Sequence, residues 1–517
     1  MQNRTKSSIK NTIASIASNL LTILINFVVQ AIFLKILGIE YSGINGLFSN
    51  ILTMLGIVEM GLGNAIIFNL YKPIAEKNKE KIKSLMKFYQ KSYHIIAIIV
   101  SIIGLSLIPI LPEIVGTVQA DVNITIIYLL FLFDTVAGYL LSYKRSILYA
   151  NQENYIVNVI HIGYLIIMNT LQLVVLYLFR NYYMYLGVKV IMRIVENLAI
   201  TFIADKKYQY LKEKDVQELS KETKDDIFKK IKAMFLHKIG GFVVNGSDNI
   251  IISYFLGVET VGLYYNYYII INAVYTLFTQ LITSTTASVG NLLASNSKKT
   301  FEVFKKIRFL NFWTVSFSGI CILVIMNSFI NIWIGEKYIL PNVILMVLVF
   351  NYYQKSMRNC YIAFKDAAGI YYEDRYVPIL ESVINIVTSI IFLKLFGLVG
   401  VFLGTVFSGF VLHFYSYPKF VYKKIFKRTY RQYMKETVGY IFIFLIVACI
   451  TYFISTIYKF DNEYMEIIKN ILTAILIPNL IFLILFKNTE EYKYYKNLLL
   501  KILGNVGVKK KEQKKMD

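Results

Sequence analysis

Cysteine is scarce in this chain. Cys321, Cys360 and Cys449 are the three among 517 residues, far apart and each within an apolar stretch. That excludes a disulfide framework and a CxxC site, and leaves three small buried hydrophobes. The motifs of group-transfer chemistry are missing too. There is no Walker A loop, no HExxH, no nucleophile elbow and no metal-type Cys/His cluster, so neither ATP hydrolysis nor a metal or other cofactor is expected. Gly400 and Gly404 form a GxxxG pair, but no strand–helix context surrounds them, and close helix packing explains them. Long hydrophilic loops are also absent from one side of the apolar stretches, which removes room for a folded soluble domain there.

Apolar residues are what the chain has instead. They make up 56% of it, with a mean hydropathy of +0.54, too apolar for a soluble protein of this length. Ile, Asn, Lys and Tyr are abundant in the manner of an AT-rich genome, so the 41 tyrosines are not read as an aromatic binding surface. A spanning helix needs about 20 apolar residues. Fourteen stretches qualify, near 12–35, 44–70, 92–112, 123–147, 155–178, 182–204, 232–256, 261–288, 309–333, 341–364, 376–395, 398–418, 436–458 and 466–486. Thr12 to Leu34 is too long for a signal h-region and reads as the first span.

The formal charge of +23 has its explanation in the gaps. The gap at 71–91 holds seven lysines and the next, at 113–122, holds none. Lysine-rich 205–231 is followed by 257–260 with only Glu259, and the alternation runs unbroken to Lys509-Lys510-Lys511 and Lys514-Lys515. The positive-inside rule then places both termini and every basic loop in the cytoplasm. The charge is a topology signal, and nucleic acid is excluded as a partner.

An internal repeat organises the spans. Leu37-Gly38-Ile39-Glu40-Tyr41-Ser42-Gly43-Ile44 returns as Leu256-Gly257-Val258-Glu259-Thr260-Val261-Gly262-Leu263, each copy in a short gap between apolar stretches. A weaker echo matches Phe179 and Leu186-Gly187 to Phe396 and Leu403-Gly404. The expected architecture is therefore an all-α integral membrane protein of about 14 helices, in two pseudo-symmetric six-helix lobes plus two further helices. Its expected parts are a lobe at 1–205, a cytoplasmic linker at 206–231, a lobe at 232–420, a basic linker with helices 13 and 14 at 421–487, and a basic cytoplasmic tail at 488–517. Two like bundles facing each other are the plan of a carrier that alternates its access, which makes transport the first functional expectation.

Ionisable residues in mid-span are costly and face a cavity or a partner. Span four has Asp134, Gly138, Ser142 and Arg145 along one helical face, and span six has Lys189, Arg193 and Glu196. Span seven has His237, Lys238, Gly241, Asn245 and Asp248; span ten has Asn351, Lys355 and Arg358; span two adds Glu59. The expected substrate cavity is lined by Arg145, Lys189, Arg193, Lys238, Lys355 and Arg358. Coupling or gating falls to Glu59, Asp134, Asn245 and Asp248. His161 and His413 are lone histidines in apolar spans and read as packing residues.

Several segments together resemble a known family. They are Asn11-Thr12, the first repeat copy, Glu59-Met60-Gly61-Leu62-Gly63-Asn64-Ala65 leading to Leu70-Tyr71-Lys72-Pro73, Ser247-Asp248-Asn249-Ile250, and Lys365-Asp366-Ala367-Ala368-Gly369 with Asp374-Arg375-Tyr376 and Pro378. The set resembles Wzx-type polysaccharide flippases, within the multidrug/oligosaccharidyl-lipid/polysaccharide exporter superfamily, whose fold is MATE-like. The resemblance implies two lobes around a cationic cavity in the bacterial cytoplasmic membrane. It implies no enzyme, and a cargo of undecaprenyl-pyrophosphate-linked oligosaccharide moved between leaflets for surface or capsular polysaccharide. Partners would then be the lipid bilayer, a polysaccharide polymerase and glycosyltransferases. Related lipid II flippases carry several arginines in the first two spans, where this chain has only Lys35, a departure that argues against the peptidoglycan precursor. The competing expectations are an ion-coupled drug exporter of the same fold and a membrane polymerase or ligase. The first should have an acidic cavity; the second should carry a long outside loop.

Overall fold

The computed structural model describes the backbone of residues 2–59, 62–116, 118, 122–213, 215–294, 299–370 and 373–513; side chains are described over the same ranges except 2–17, 64, 226, 229–240, 242, 245, 287, 294 and 502–513. Every regular element among the described residues is helical. The helices in the first part of the chain are α1 (Gln2–Leu37), α2 (Ile39–Leu55), α3 (Leu62–Ala75), α4 (Lys79–Ser106), α5 (Leu111–Val115), α6 (Ile124–Leu140), α7 (Tyr143–Ala150), α8 (Asn154–Phe179), α9 (Tyr182–Lys207) and α10 (Lys221–Leu256). There follow α11 (Val258–Thr283), α12 (Thr286–Ala294), α13 (Thr300–Ile334), α14 (Asn342–Ala367), α15 (Val377–Phe396), α16 (Leu398–Val411) running on as a π-helix (Leu412–Ile425), α17 (Tyr430–Ile457), α18 (Glu463–Phe486) and α19 (Glu490–Gln513).

Among the described residues ten helices are long and apolar enough to cross a membrane, or eleven if the bent pair α6 and α7 is one span. Three other long helices, α9, α10 and α14, stand at expected spans six, seven and ten. These are the helices with charged stripes, which keep them outside the apolar set. The expected straight span at 123–147 is bent by 46° between Leu140 and Tyr143. Expected span 44–70 is two helices, with a 3₁₀ turn, Gly56–Glu59, after the first. Glu59 is therefore at a break and not in mid-helix.

The contacts fall into two compact units, Met1–Asn266 with Arg375–Gly404, and Tyr267–Asp374 with Thr405–Asp517. In the first, α8 lies between α1 and α9, α6 between α9 and α4, and α10 packs on both α2 and α15. In the second, α13 is central, touching α14, α17 and α18. Its core is aromatic: Phe304, Tyr361, Phe364, Tyr422 and Phe426 meet edge to face or tilted with centroids 4.6–6.5 Å apart. Many of the tyrosines thus go to packing.

The two repeat copies meet within the first unit. Gly38 and Gly257 break the chain between consecutive helices with φ of 95° and 85°, a region that favours glycine. In each copy the glycine N–H returns to the carbonyl four residues back, Gly38 to Leu34 and Gly257 to Ser253, both at 3.0 Å. The second glycines are contact points. A Cβ on Gly43 would collide with the Val258 carbonyl, and one on Gly262 with the Ile39 carbonyl. With Leu37 aligned to Leu256, Ile39 is the counterpart of Val258 and Gly43 of Gly262. The same contact is made twice with the partners exchanged, as at a two-fold interface. Gln30 lies beside it, donating to Ser42 Oγ at 2.8 Å and Asn266 Oδ1 at 2.9 Å. The weaker echo is not equivalent in packing. Gly404 and Gly400 sit directly on the backbone of α15, as expected of a GxxxG pair, whereas nothing stands within 4 Å of a Cβ on Gly187.

Candidate functional site

Four helices of the first unit converge on a charge cluster. From α6 comes Asp134, from α7 Arg145, from α8 His161, and from α9 Lys189, Arg193 and Glu196. The Glu196 side chain is fully buried, accepts from Arg193 Nη1 at 3.0 Å and pairs with Arg145 Nη2 at 3.2 Å. His161 Nδ1 stands 2.8 Å from its other oxygen. Asp134 accepts from Arg193 Nε at 3.3 Å and pairs with Lys189 Nζ at 3.5 Å. Asn197 braces the far side, accepting from Arg145 at 2.8 Å and donating to the Ala137 carbonyl at 2.9 Å. Arg193 also lies over the Tyr164 ring, 5.3 Å from its centroid, and Lys189 over Phe131 at 4.7 Å.

The order of burial in this cluster matters. Glu196 and Asp134 have side chains 0% and 10% exposed, while Arg145, Lys189 and Arg193 keep 23–26%. The carboxylates lie behind and the cations in front. Two carboxylates face three basic side chains and one imidazole, and the basic groups are the more exposed members of the cluster.

Glu59 takes a hydrogen bond from Tyr93 Oη at 2.8 Å. Asp248 is buried in α10, where its neighbour Ser247 donates to Asn385 of α15 at 3.0 Å. The side chains of Lys238 and Asn245 lie outside the described residues. In the second unit, Asn351, Lys355 and Arg358 are the half-exposed positions of α14 between 351 and 360, every other residue there being buried. Lys355 lies over Tyr275 at 4.6 Å, and Gly409 of α16 leaves room for the Arg358 guanidinium.

His161 is not the packing residue the sequence implied; it is a member of the cluster. The bend between α6 and α7 also means that Asp134 and Arg145 do not share one straight face. Two further ion pairs, each with a buried cation, were not foreseen. Arg308 meets Glu436 at 2.6 Å and also bonds Tyr422. Lys365 pairs with Asp374, which Ser416 approaches at 3.0 Å. Nearby, the Lys424 ammonium holds the Glu373 carboxyl below the usual range. These bonds tie the turn after α14 to the π-helix. Among the described residues no group of three or more His, Cys, Asp or Glu is placed to hold a metal ion.

The fold defines a class: an all-helical, multi-pass membrane protein. The chain superposes on a lipid II flippase, MurJ, in an inward closed conformation with a TM-score of 0.68 at 14% identity, covering 93% of this chain and 99% of that one. An inward-facing multidrug resistance MATE transporter of the MOP superfamily gives 0.58 at 13%, covering 75% and 91%. A Vibrio cholerae MATE transporter gives 0.54 at 14%, covering 79% and 96%. No curated protein sequence matches. The profile of the polysaccharide biosynthesis protein family matches residues 8–287, more than half of the chain, and the chain belongs to that family. The resemblance to polysaccharide flippases and the all-α, MATE-like fold class are both borne out.

Proposed function

We propose that this protein flips an undecaprenyl-pyrophosphate-linked oligosaccharide across the bacterial cytoplasmic membrane for surface polysaccharide assembly. The observation that carries the reading is the cluster of Arg145, Lys189 and Arg193, partly exposed cations backed by buried carboxylates. A diphosphate crossing a bilayer needs its hydration replaced by fixed positive groups, and arginine offers a forked pair of donors. Lys355 and Arg358 supply the second set, from α14. The lobes exchange between inward- and outward-open states, so that the polar head crosses while the prenyl tail stays in lipid. Both termini lie in the cytoplasm, and a polymerase and glycosyltransferases act before and after this step. Lipid-linked cargo from the family and fold, and positive charge from the cluster, favour this reading over a drug exporter.

The test is where labelled lipid-linked oligosaccharide resides in a strain lacking the gene and any second flippase. It is expected to remain in the inner leaflet, with surface polysaccharide absent. Normal arrival at the outer leaflet would overturn the proposal. In complementation, Arg193→Lys should retain more transport than Arg193→Ala, since it keeps the charge and loses the fork.

A further inference from the structure

The last described helix has an apolar stripe that outruns its support. Three residues separate α19 from Phe486, the end of α18. Its first turns dock on α13. Tyr492 stacks on Trp313 with centroids 6.0 Å apart, and Tyr495 stacks on Phe309 at 6.4 Å while its hydroxyl donates to the Lys306 carbonyl at 3.2 Å. Glu491 pairs with Lys305 at 3.6 Å, and Lys306 lies 4.2 Å from the Tyr494 ring centroid.

Leu498 and Leu499 come three and four residues after Tyr495, so they continue the docking face. There α13 no longer covers it: Leu498 is 40% and Leu499 60% exposed. Lys496 and Lys501 are exposed and flank the stripe about 100–120° to either side at 100° per residue. Asn497 and Lys493 occupy the opposite face together with the exposed Leu500, and both line a cleft with Glu302, Lys305 and Lys306 of α13. Five more lysines follow in the sequence at 509–511 and 514–515.

We infer that α19 is an in-plane amphipathic helix whose Leu498–Leu499 face inserts at the membrane surface, with Lys496 and Lys501 engaging anionic lipid headgroups. The occupant is the leaflet that α18 has just left. A helix joined to a span by three residues cannot stand far from the headgroups, and leucine flanked by lysines is the arrangement that partitions into them. Lysine stems lie along the apolar boundary while their ammoniums reach phosphate. This surface is separate from the charge cluster, and the inference does not depend on what the protein transports.

The experiment uses the full chain in nanodiscs of phosphatidylcholine with and without phosphatidylglycerol. Cys321, Cys360 and Cys449 are first replaced by alanine, and a polarity-sensitive label is attached through Leu499→Cys or Asn497→Cys. The label at 499 should be quenched by brominated acyl chains and shielded from aqueous iodide; the label at 497 should show the reverse. Adding phosphatidylglycerol should deepen the protection at 499. Lys496→Gln and Lys501→Gln should each weaken that anionic-lipid increment by about fivefold, leaving the basal insertion. Equal iodide access at 499 and 497 in both membranes would overturn the inference. Protection at 499 seen in native membranes but not in nanodiscs would also overturn it, by pointing to a protein partner. Protection that persists unchanged in Leu498→Ser would show that the apolar stripe is not what inserts, and would overturn it as well.

Discussion

Glu196 shows what a single side chain does in this protein. It is fully buried, and Arg145, Arg193 and His161 all point at it. Glu196→Gln keeps the shape and removes the charge that holds them. Because both arginines keep about a quarter of their surface exposed, the loss is discounted below that of a fully sealed pair, to roughly 1–2 kcal/mol. The expected outcome is a lower thermal stability of the purified protein and slower transport, since the cations lose their fixed positions. A variant that melts with the parent would show the network to be slack. The arginine–glutamate part of this site was legible in the sequence, because residues three apart share a helical face. The rest was not. His161 is 35 residues from Glu196, and Asp134 is 59 from Arg193. Periodicity speaks only within one helix, so a residue whose partner is on another helix reads as solitary.

Between helices, glycine separates contacts that matter from those that do not. Gly43→Leu and Gly262→Leu should each cost most of the transport activity, because each drives a side chain into the carbonyl of the opposite repeat copy. Gly404→Leu should likewise disrupt the seat of α16 on α15. Gly187→Leu should be nearly silent, although the sequence pairs it with Gly404. Flux measured in one series of proteoliposomes checks all four, and a damaging Gly187→Leu beside a harmless Gly404→Leu would refute the packing described. Most helices were legible from their apolar runs. The break after Leu55 and the bend after Leu140 were not, since apolar composition continues across both. Helices also outrun the apolar stretches. α10 starts at Lys221 and α13 at Thr300, several residues before the apolar stretch, because a helix can run on into polar sequence where hydropathy has already fallen.

For the molecule as a whole, the alternation of basic and non-basic gaps predicts that a reporter fused after Lys510 is active only as a cytoplasmic enzyme. Activity from an exported reporter at that site would invert the orientation and place the basic segments outside. The Ser247–Asn385 bond has a consequence for how such a chain is made. The two residues are 138 apart, and α10 rests on α15 within the same unit. At 5–20 residues per second, a ribosome needs about 7–28 s to deliver the second after the first. During that interval the polar face of α10 has been synthesised and its partner has not. Nascent chains arrested before Asn385 should therefore keep α10 at the translocon, bound to insertase or chaperone, and release it only once α15 has emerged.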